Sequence, residues 1–162
     1  MENREIERKF LVRGDAWRAD AEPQGCVQGY LAYGPPTSVR VRVIGDHAYL
    51  TIKGSIEEEA AGGATDRLEY EYPLPVDEAQ SMMNLCTGFV KKTRYRIEYA
   101  GHDWEIDVFH DANDGLVVAE IELERPDEPF DKPDWAGEEV SVDLRYLNVN
   151  LARKPYKNWR TS

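Results

Sequence analysis

Arg4-Glu5-Ile6-Glu7-Arg8-Lys9-Phe10-Leu11-Val12 is the stretch whose reading decides the fold. As a strand it places Glu5, Glu7 and Lys9 on one face and Ile6, Arg8 and Phe10 on the other, because side chains alternate along an extended chain. Two carboxylates on neighbouring same-face positions repel unless solvent or a cation lies between them. A solvated strand face is the commoner explanation of a single E-x-E. Repetition of the pattern along this chain shifts the balance.

The period of two recurs in Ser38–Ile44 (SVRVRVI), where Arg40 and Arg42 oppose Val39, Val41 and Val43. In Ala48–Lys53, Thr51 and Lys53 oppose Leu50 and Ile52, and in Arg67–Leu74, Arg67, Glu69 and Glu71 oppose Leu68, Tyr70 and Tyr72. Phe89–Tyr99 alternates Lys92, Arg94 and Arg96 with Thr93, Tyr95 and Ile97. Asp103–Phe109 sets Glu105 and Asp107 against Trp104, Ile106 and Val108, and Leu116–Glu124 sets Glu120, Glu122 and Glu124 against Ile121 and Leu123. Gln24–Tyr33 reads as a further strand, closed by Gly34-Pro35-Pro36. Turn dipeptides such as Gly45-Asp46 and Gly101-His102 separate the segments. Between strands, Val76–Cys86 carries Val76, Ala79, Met82, Met83 and Cys86 on one helical face. A helical turn is expected around Trp17 and a short helix around Tyr146–Arg153. The acidic, Ala- and Gly-rich Ser55–Asp66 reads as a surface loop and a candidate lid.

The 162 residues read as a single domain, 1–162, with enough chain for a core. With 41% hydrophobic and 31% charged residues the composition is that of a soluble globular protein. The net charge of −11 argues against a nucleic-acid partner and an anionic membrane surface. It leaves a small anionic ligand open, since a local basic cluster governs the site itself. Cys26 and Cys86 lack paired spacing and read as reduced thiols of a cytoplasmic protein. His47, His102 and His110 have no zinc-type spacing.

Eight strands with mostly short connections imply antiparallel neighbours. One helix and a short tail could hardly cover the apolar face of an open eight-stranded sheet. The expected fold is therefore mainly β with a few helices (α+β): an eight-stranded antiparallel barrel closed around a tunnel with a charged interior. Its apolar outer faces would lie against the helices, the tail or a second subunit of a homodimer. Clustered carboxylates suit a hard divalent cation shared with phosphate oxygens. Lys9, Arg40, Arg42, Lys53, Lys92 and Arg94 suit the phosphates themselves. Both signs in one cavity fit a long, highly charged phosphate, and the absence of G-x-x-x-x-G-K-[ST] excludes a P-loop.

The same residues carry a resemblance. Glu5-Ile6-Glu7-Arg8-Lys9 is similar to the E-x-E-x-K hallmark of the CYTH superfamily, the triphosphate tunnel metalloenzymes. The likeness continues through QGYL (Gln28–Leu31), VRVR (Val39–Arg42), TIKG (Thr51–Gly54), EYEY (Glu69–Tyr72), KKTRY (Lys91–Tyr95), EIDVF (Glu105–Phe109), EIELE (Glu120–Glu124) and GEEV (Gly137–Val140). ERKFLV with QGYL most resembles the short bacterial inorganic triphosphatases. A departure lies in the tail, where Leu147 and Val149 stand in positions at which relatives often carry lysine or serine.

The resemblance implies a hydrolase of inorganic tripolyphosphate or another triphosphate that uses Mg²⁺ or Mn²⁺ and yields phosphate and pyrophosphate. Glu5, Glu7, Glu120 and Glu122 would hold a metal ion, with Glu105 and Asp107 serving a second ion and its water. Glu69 and Glu71 would orient basic side chains or metal-bound water. Lys92 would meet charge at the leaving group, and Tyr30 would place a hydroxyl near the mouth. Two alternatives stand beside this: a class IV-type adenylate cyclase, and a non-catalytic triphosphate- or polyphosphate-binding module.

Overall fold

The computed structural model describes residues 3–54 and 63–159. The strands are β1 (Arg4–Val12), β2 (Glu22–Ala32), β3 (Thr37–Ile44), β4 (His47–Gly54), β5 (Thr65–Leu74), β6 (Gly88–Tyr99), β7 (His102–Phe109), β8 (Val117–Leu123) and β9 (Ala136–Glu139). The helices are α1 (Val76–Met82) and α2 (Asn148–Arg153), with 3-10 turns that include Ala16–Asp20 around Trp17.

The hydrogen-bonded order is β5-β4-β3-β2-β6-β7-β8-β1-β9, and β5 also pairs with β1. The first eight strands therefore close into an antiparallel barrel, as the alternation predicts. One edge of β1 runs along β8, with Glu7 opposite Glu122 and Lys9 opposite Glu120. Its other edge is divided. Arg4–Glu7 pair with Thr65–Leu68, and beyond them β9 takes over at Phe10 and Val12. Between the two partners, the Lys9 backbone N–H donates to Ser141 Oγ at 2.9 Å and the Lys9 carbonyl accepts from Val140 N–H at 2.8 Å.

The apolar faces point outward and are roofed from outside. Ile6, Trp104, Ile106, Ile121 and Ile97 form one cluster with Trp17, and Phe130 and Trp135 of the segment before β9 pack against it. Over β3 and β4, Val41 and Ala48 pack with Ala79 of α1, flanked by Val76, Met82 and Met83. The helical face thus matches the expectation, but the helix is shorter. It tightens into a 3-10 turn at Met83–Leu85, and Cys86 is extended. Pro75 at its start needs no N–H partner, and Asp77 and Glu78 lie in its first turn, where the positive end of the helix dipole favours them. On β5 the outward Leu68, Tyr70 and Tyr72 remain exposed.

A third apolar cluster is inside the barrel. Tyr30, Val90, Phe109 and Val118 share the inward parity of the charged positions, yet they pack with Leu116, Tyr146 and Leu151 of α2. The C-terminal segment is therefore a stopper that fills one end of the barrel, and the charges occupy the rest. The tail also supplies β9, which the sequence reading leaves unassigned. Thr65 and Asp66 belong to β5 rather than to the expected Ser55–Asp66 loop. The rest of the lid proposal, residues 55–62, lies outside the described residues. Gly45 takes φ +57° in the β3–β4 turn, a conformation that glycine adopts without steric cost.

Candidate active site

Away from the stoppered end, inward positions of most strands bring charged groups to a common cavity. Its acidic members are Glu5 and Glu7 from β1, Glu105 from β7 and Glu120 and Glu122 from β8. Its basic members are Lys9, Arg40, Arg42, Lys53, Lys92 and Arg94, joined by Arg67. Glu69 and Glu71 line an adjoining mouth with His47, Tyr49 and Arg96.

The basic residues fall into two kinds. Lys92 Nζ donates to Asp107 Oδ2 at 2.7 Å, while Arg94 donates to the same carboxylate from Nε at 2.8 Å and Nη2 at 3.0 Å. Lys53 Nζ meets Glu5 at 2.9 Å and Glu69 at 3.2 Å, and Lys9 Nζ meets Glu120 at 3.4 Å. Arg40 and Arg42 differ. Among the described residues neither forms an ion pair, although they are only 7% and 8% exposed. Arg40 Nε has no hydrogen-bond partner, and Arg42 Nε donates to the neutral Gln28 Oε1 at 2.9 Å. A buried guanidinium without a counter-charge is costly alone and suited to an incoming anion.

Asp107 is set differently from the expectation for a metal ligand. It is 0% exposed, lies behind the cavity wall and is saturated by Lys92 and Arg94. Burial opposes its charge, but those two cations outweigh it and hold its carboxyl down at about 2. Pairing alone would raise Lys92. Burial, with Arg94 and Arg42 alongside, instead brings it down to about 8. Glu105, the other residue expected to serve a second metal ion, is engaged by Arg94 at 3.1 Å and Arg96 at 3.5 Å. Tyr30 lines the same cavity, away from the mouth that Glu69 and Glu71 line. It sits at the stoppered end, 2% exposed, with its hydroxyl accepting from Gln28 Nε2 at 3.0 Å.

The carboxylates also divide. Burial works against the charge of Glu120, but Lys9, Arg94 and Lys92 keep it well below the usual range. Glu7 is pushed up to about 8 by burial and by the charges of Glu120 and Glu5. Glu122 is pushed up to about 7 by burial together with Glu5, Glu69 and Glu105. Glu7 and Glu122, partners across β1 and β8, thus form a spot with an excess of negative charge. A divalent cation fits there. Among the described residues no three His, Cys, Asp or Glu side chains gather closely enough to cage a metal ion. Phosphate and water oxygens would have to complete its shell, the usual arrangement for Mg²⁺.

Gln28 and Asn148 are site residues that the sequence reading passes over. Gln28 is fully buried and shares the inward parity of Tyr30, a signal available from the strand pattern. Asn148 lines the cavity between Leu147 and Val149, and its Oδ1 accepts from Lys92 Nζ at 2.9 Å and from Gln28 Nε2 at 3.1 Å. Only the folded tail reveals it. Lys154, by contrast, is exposed at the end of α2 and not part of the cavity lining.

An antiparallel barrel with its hydrophobic clusters largely outside and a two-signed charged cavity within defines a class of β-barrels with a charged internal tunnel. The chain belongs to the CYTH domain family, whose pattern matches residues 3–156. It is 46% identical over 159 residues to an inorganic triphosphatase of Acetivibrio thermocellus, covering 97% of this chain and 98% of that protein. It is 36% identical over 156 residues to an inorganic triphosphatase of Nitrosomonas europaea, covering 91% and 96%. A crystal structure of an inorganic triphosphatase superposes with a TM-score of 0.63 at 33% identity, over 91% of this chain and 93% of that one. A putative adenylyl cyclase from Hippeastrum, described as having a dominant triphosphatase activity, also gives 0.63, over 75% and 80%. At 13% identity it speaks to the fold alone. Among the described residues no helix is long and apolar enough to cross a membrane.

Proposed function

We propose that this protein is a divalent-metal-dependent hydrolase of inorganic tripolyphosphate, releasing orthophosphate and pyrophosphate. The observation that carries the reading is the pairing of two deficits in one cavity. Arg40 and Arg42 form no ion pair among the described residues, while Glu122 has none either and Glu7, crowded by Glu120 and Glu5, has only the long contacts of Lys9 at 3.9 Å and Arg67 at 4.0 Å. A metal–triphosphate complex supplies both. The similarity to triphosphatases along nearly the whole chain supports the same substrate class.

In this reading Arg40 and Arg42 clamp phosphate oxygens, for which a planar guanidinium offers bidentate geometry. Lys92 and Arg94, held in place by Asp107, offset charge that develops on the leaving oxygen. Glu5, Glu7, Glu120 and Glu122 would hold Mg²⁺ or Mn²⁺. When bound, such an ion supplies polarised phosphoryl oxygens and a water of lowered pKa. Hydrolysis forms a bond from a water oxygen to a terminal phosphorus and breaks the bridging P–O bond, whose electron pair leaves with pyrophosphate while the water's proton passes to solvent. Glu105, tied to Arg94 and Arg96, and Glu69, tied to Lys53, keep the mouth acidic without joining the reaction.

Product analysis with Mg²⁺ and with Mn²⁺ tests this reading. Orthophosphate from tripolyphosphate is expected. Cyclic AMP from ATP without tripolyphosphate hydrolysis would assign the site to a cyclase, and tight binding without product would assign it to a binding module. Ligand with metal at about a hundred times Kd should stabilise the fold by roughly 2.7 kcal/mol. Sodium sulfate of matched ionic strength should do much less.

A further inference from the structure

Behind the Arg40 and Lys92 walls runs a buried chain of polar groups whose direction is forced. Arginine and lysine have donors and no acceptor. Gln28 must therefore turn Oε1 to Arg42 Nε at 2.9 Å, which leaves its amide N–H groups to Tyr30 Oη at 3.0 Å and Asn148 Oδ1 at 3.1 Å. Asn148 must likewise turn Oδ1 to Lys92 Nζ at 2.9 Å. The Asn148 oxygen thus receives two donors, and the β2–β3 wall and the β6 wall are joined through the first residue of α2.

The consequence lies at Lys92. Its ammonium has three N–H groups on a flexible stem. Asp107 takes one at 2.7 Å and Asn148 takes another. The third is left for the cavity that Lys92 lines. With Asp107 alone, Nζ could rotate about its C–N bond and tilt toward the Asp107 and Glu120 side. With Asn148 as well, two fixed acceptors determine where the third N–H points.

We infer that Asn148 is a positioning residue: the C-terminal segment aims the Lys92 ammonium at the substrate and, through Gln28, holds Arg42 in register with it. The inference rests on the proposed triphosphatase reading for its kinetic consequence, but not for the geometry. Asn148 therefore matters to the reaction through Lys92, and the stopper at the end of the barrel takes part in organising the site as well as filling space.

The test compares two substitutions. Asn148→Leu keeps the volume and removes the acceptor. Asn148→Asp keeps acceptor oxygens for Lys92 and Gln28 and adds a negative charge. Asn148→Leu should lower kcat about 10–100-fold, the cost of a small misplacement of a reacting group. Asn148→Asp should keep kcat within about threefold of the parent, with a raised KM from repulsion of the phosphate. A substrate-independent readout is the side-chain ¹⁵N–¹H signal of the Lys92 ammonium at mildly acid pH. It should be visible in the parent and in Asn148→Asp, and broadened away in Asn148→Leu. An unchanged kcat and signal in folded Asn148→Leu would overturn the inference, as would loss of both in Asn148→Asp. Should Asn148→Leu fail to fold, the Asp variant alone decides by the same criteria. If the parent hydrolyses no triphosphate, the proposed function falls and the ammonium signal still decides the positioning role.

Discussion

Replacing Asp107 by asparagine separates the two roles that this carboxylate can have. In the structure it is the shared counter-charge of Lys92 and Arg94, with three contacts between 2.7 and 3.0 Å and no solvent exposure. Asparagine keeps one acceptor oxygen but turns an amide toward a cation, leaves buried Lys92 without a carboxylate partner, and leaves Arg94 with Glu105 and the more distant Glu120. Removing one partner of a buried ion pair costs about 3–5 kcal/mol. In a chain of this size each kcal/mol moves Tm by roughly 2–4 °C, so a fall of roughly 10 °C is expected. The pH dependence has a definite sign. The carboxyl is lowered from 3.8 to about 2, so its stabilisation is complete above 3.8 and is lost as pH falls through about 2. The gap between parent and variant should close in that acid window. Urea denaturation of the metal-free proteins, with Tm as a check, measures both effects. A metal ligand facing other carboxylates would behave in the opposite way, with Asp107→Asn becoming more stable without metal. A gain in stability, or a loss under about 1 kcal/mol, would refute the counter-charge assignment.

Three further outcomes follow from the same geometry. Glu7→Gln should raise the stability of the metal-free protein, because it removes a charge crowded by Glu120 and Glu5, and should abolish most turnover. Near-normal activity at saturating tripolyphosphate would sink its role at the metal. Arg40→Ala should raise KM with little change in kcat, whereas Lys92→Ala should lower kcat; steady-state kinetics that show the reverse split would exchange the two assignments. Glu7 and Glu122 are raised from 4.5 to about 8 and about 7, so the stability they contribute is full below 4.5 and lost as pH rises through those values. Metal-free Tm should decline across that window, while the lowered Asp107 and Glu120 stay constant in it. Tripolyphosphate with Mg²⁺ should flatten the decline, and a flat metal-free profile would count against the crowded pair.

The barrel and most of its charged lining were legible because both depend on the period of two, which local sequence carries directly. Arg40 and Arg42 alternate with valines, and the structure puts them inward as that pattern requires. Alternation alone could not say which inward charges are already satisfied. Asp107 and Glu120 look alike on paper, but one lies behind the wall under two cations and the other faces the cavity. That difference is set by the stagger between strands. Nor could parity show where the lining turns apolar. Tyr30, Val90, Phe109 and Val118 continue the inward series, and their depth depends on where α2 enters. Asn148 was hidden for the same reason, since its partners Gln28 and Lys92 are distant in sequence.

The divided edge of β1 has a mechanical consequence. Among the described residues, every other joint of the eight-stranded barrel has a longer register than the one between β1 and β5, which runs from Arg4–Leu68 to Glu7–Thr65 with one further bond from Glu69 N–H to the Asn3 carbonyl. That short seam lies where Glu5 and Glu7 project inward. Opening a sheet at its shortest ladder breaks the fewest hydrogen bonds, so the least costly local excursion of this barrel is to part at the strand that carries its two leading carboxylates. Amide protons of Arg4–Glu7 and Thr65–Leu68 should exchange ahead of those in the β2–β6 joint. A ligand that ties Glu5 and Glu7 to the facing walls would act as a clasp on the seam and slow that exchange.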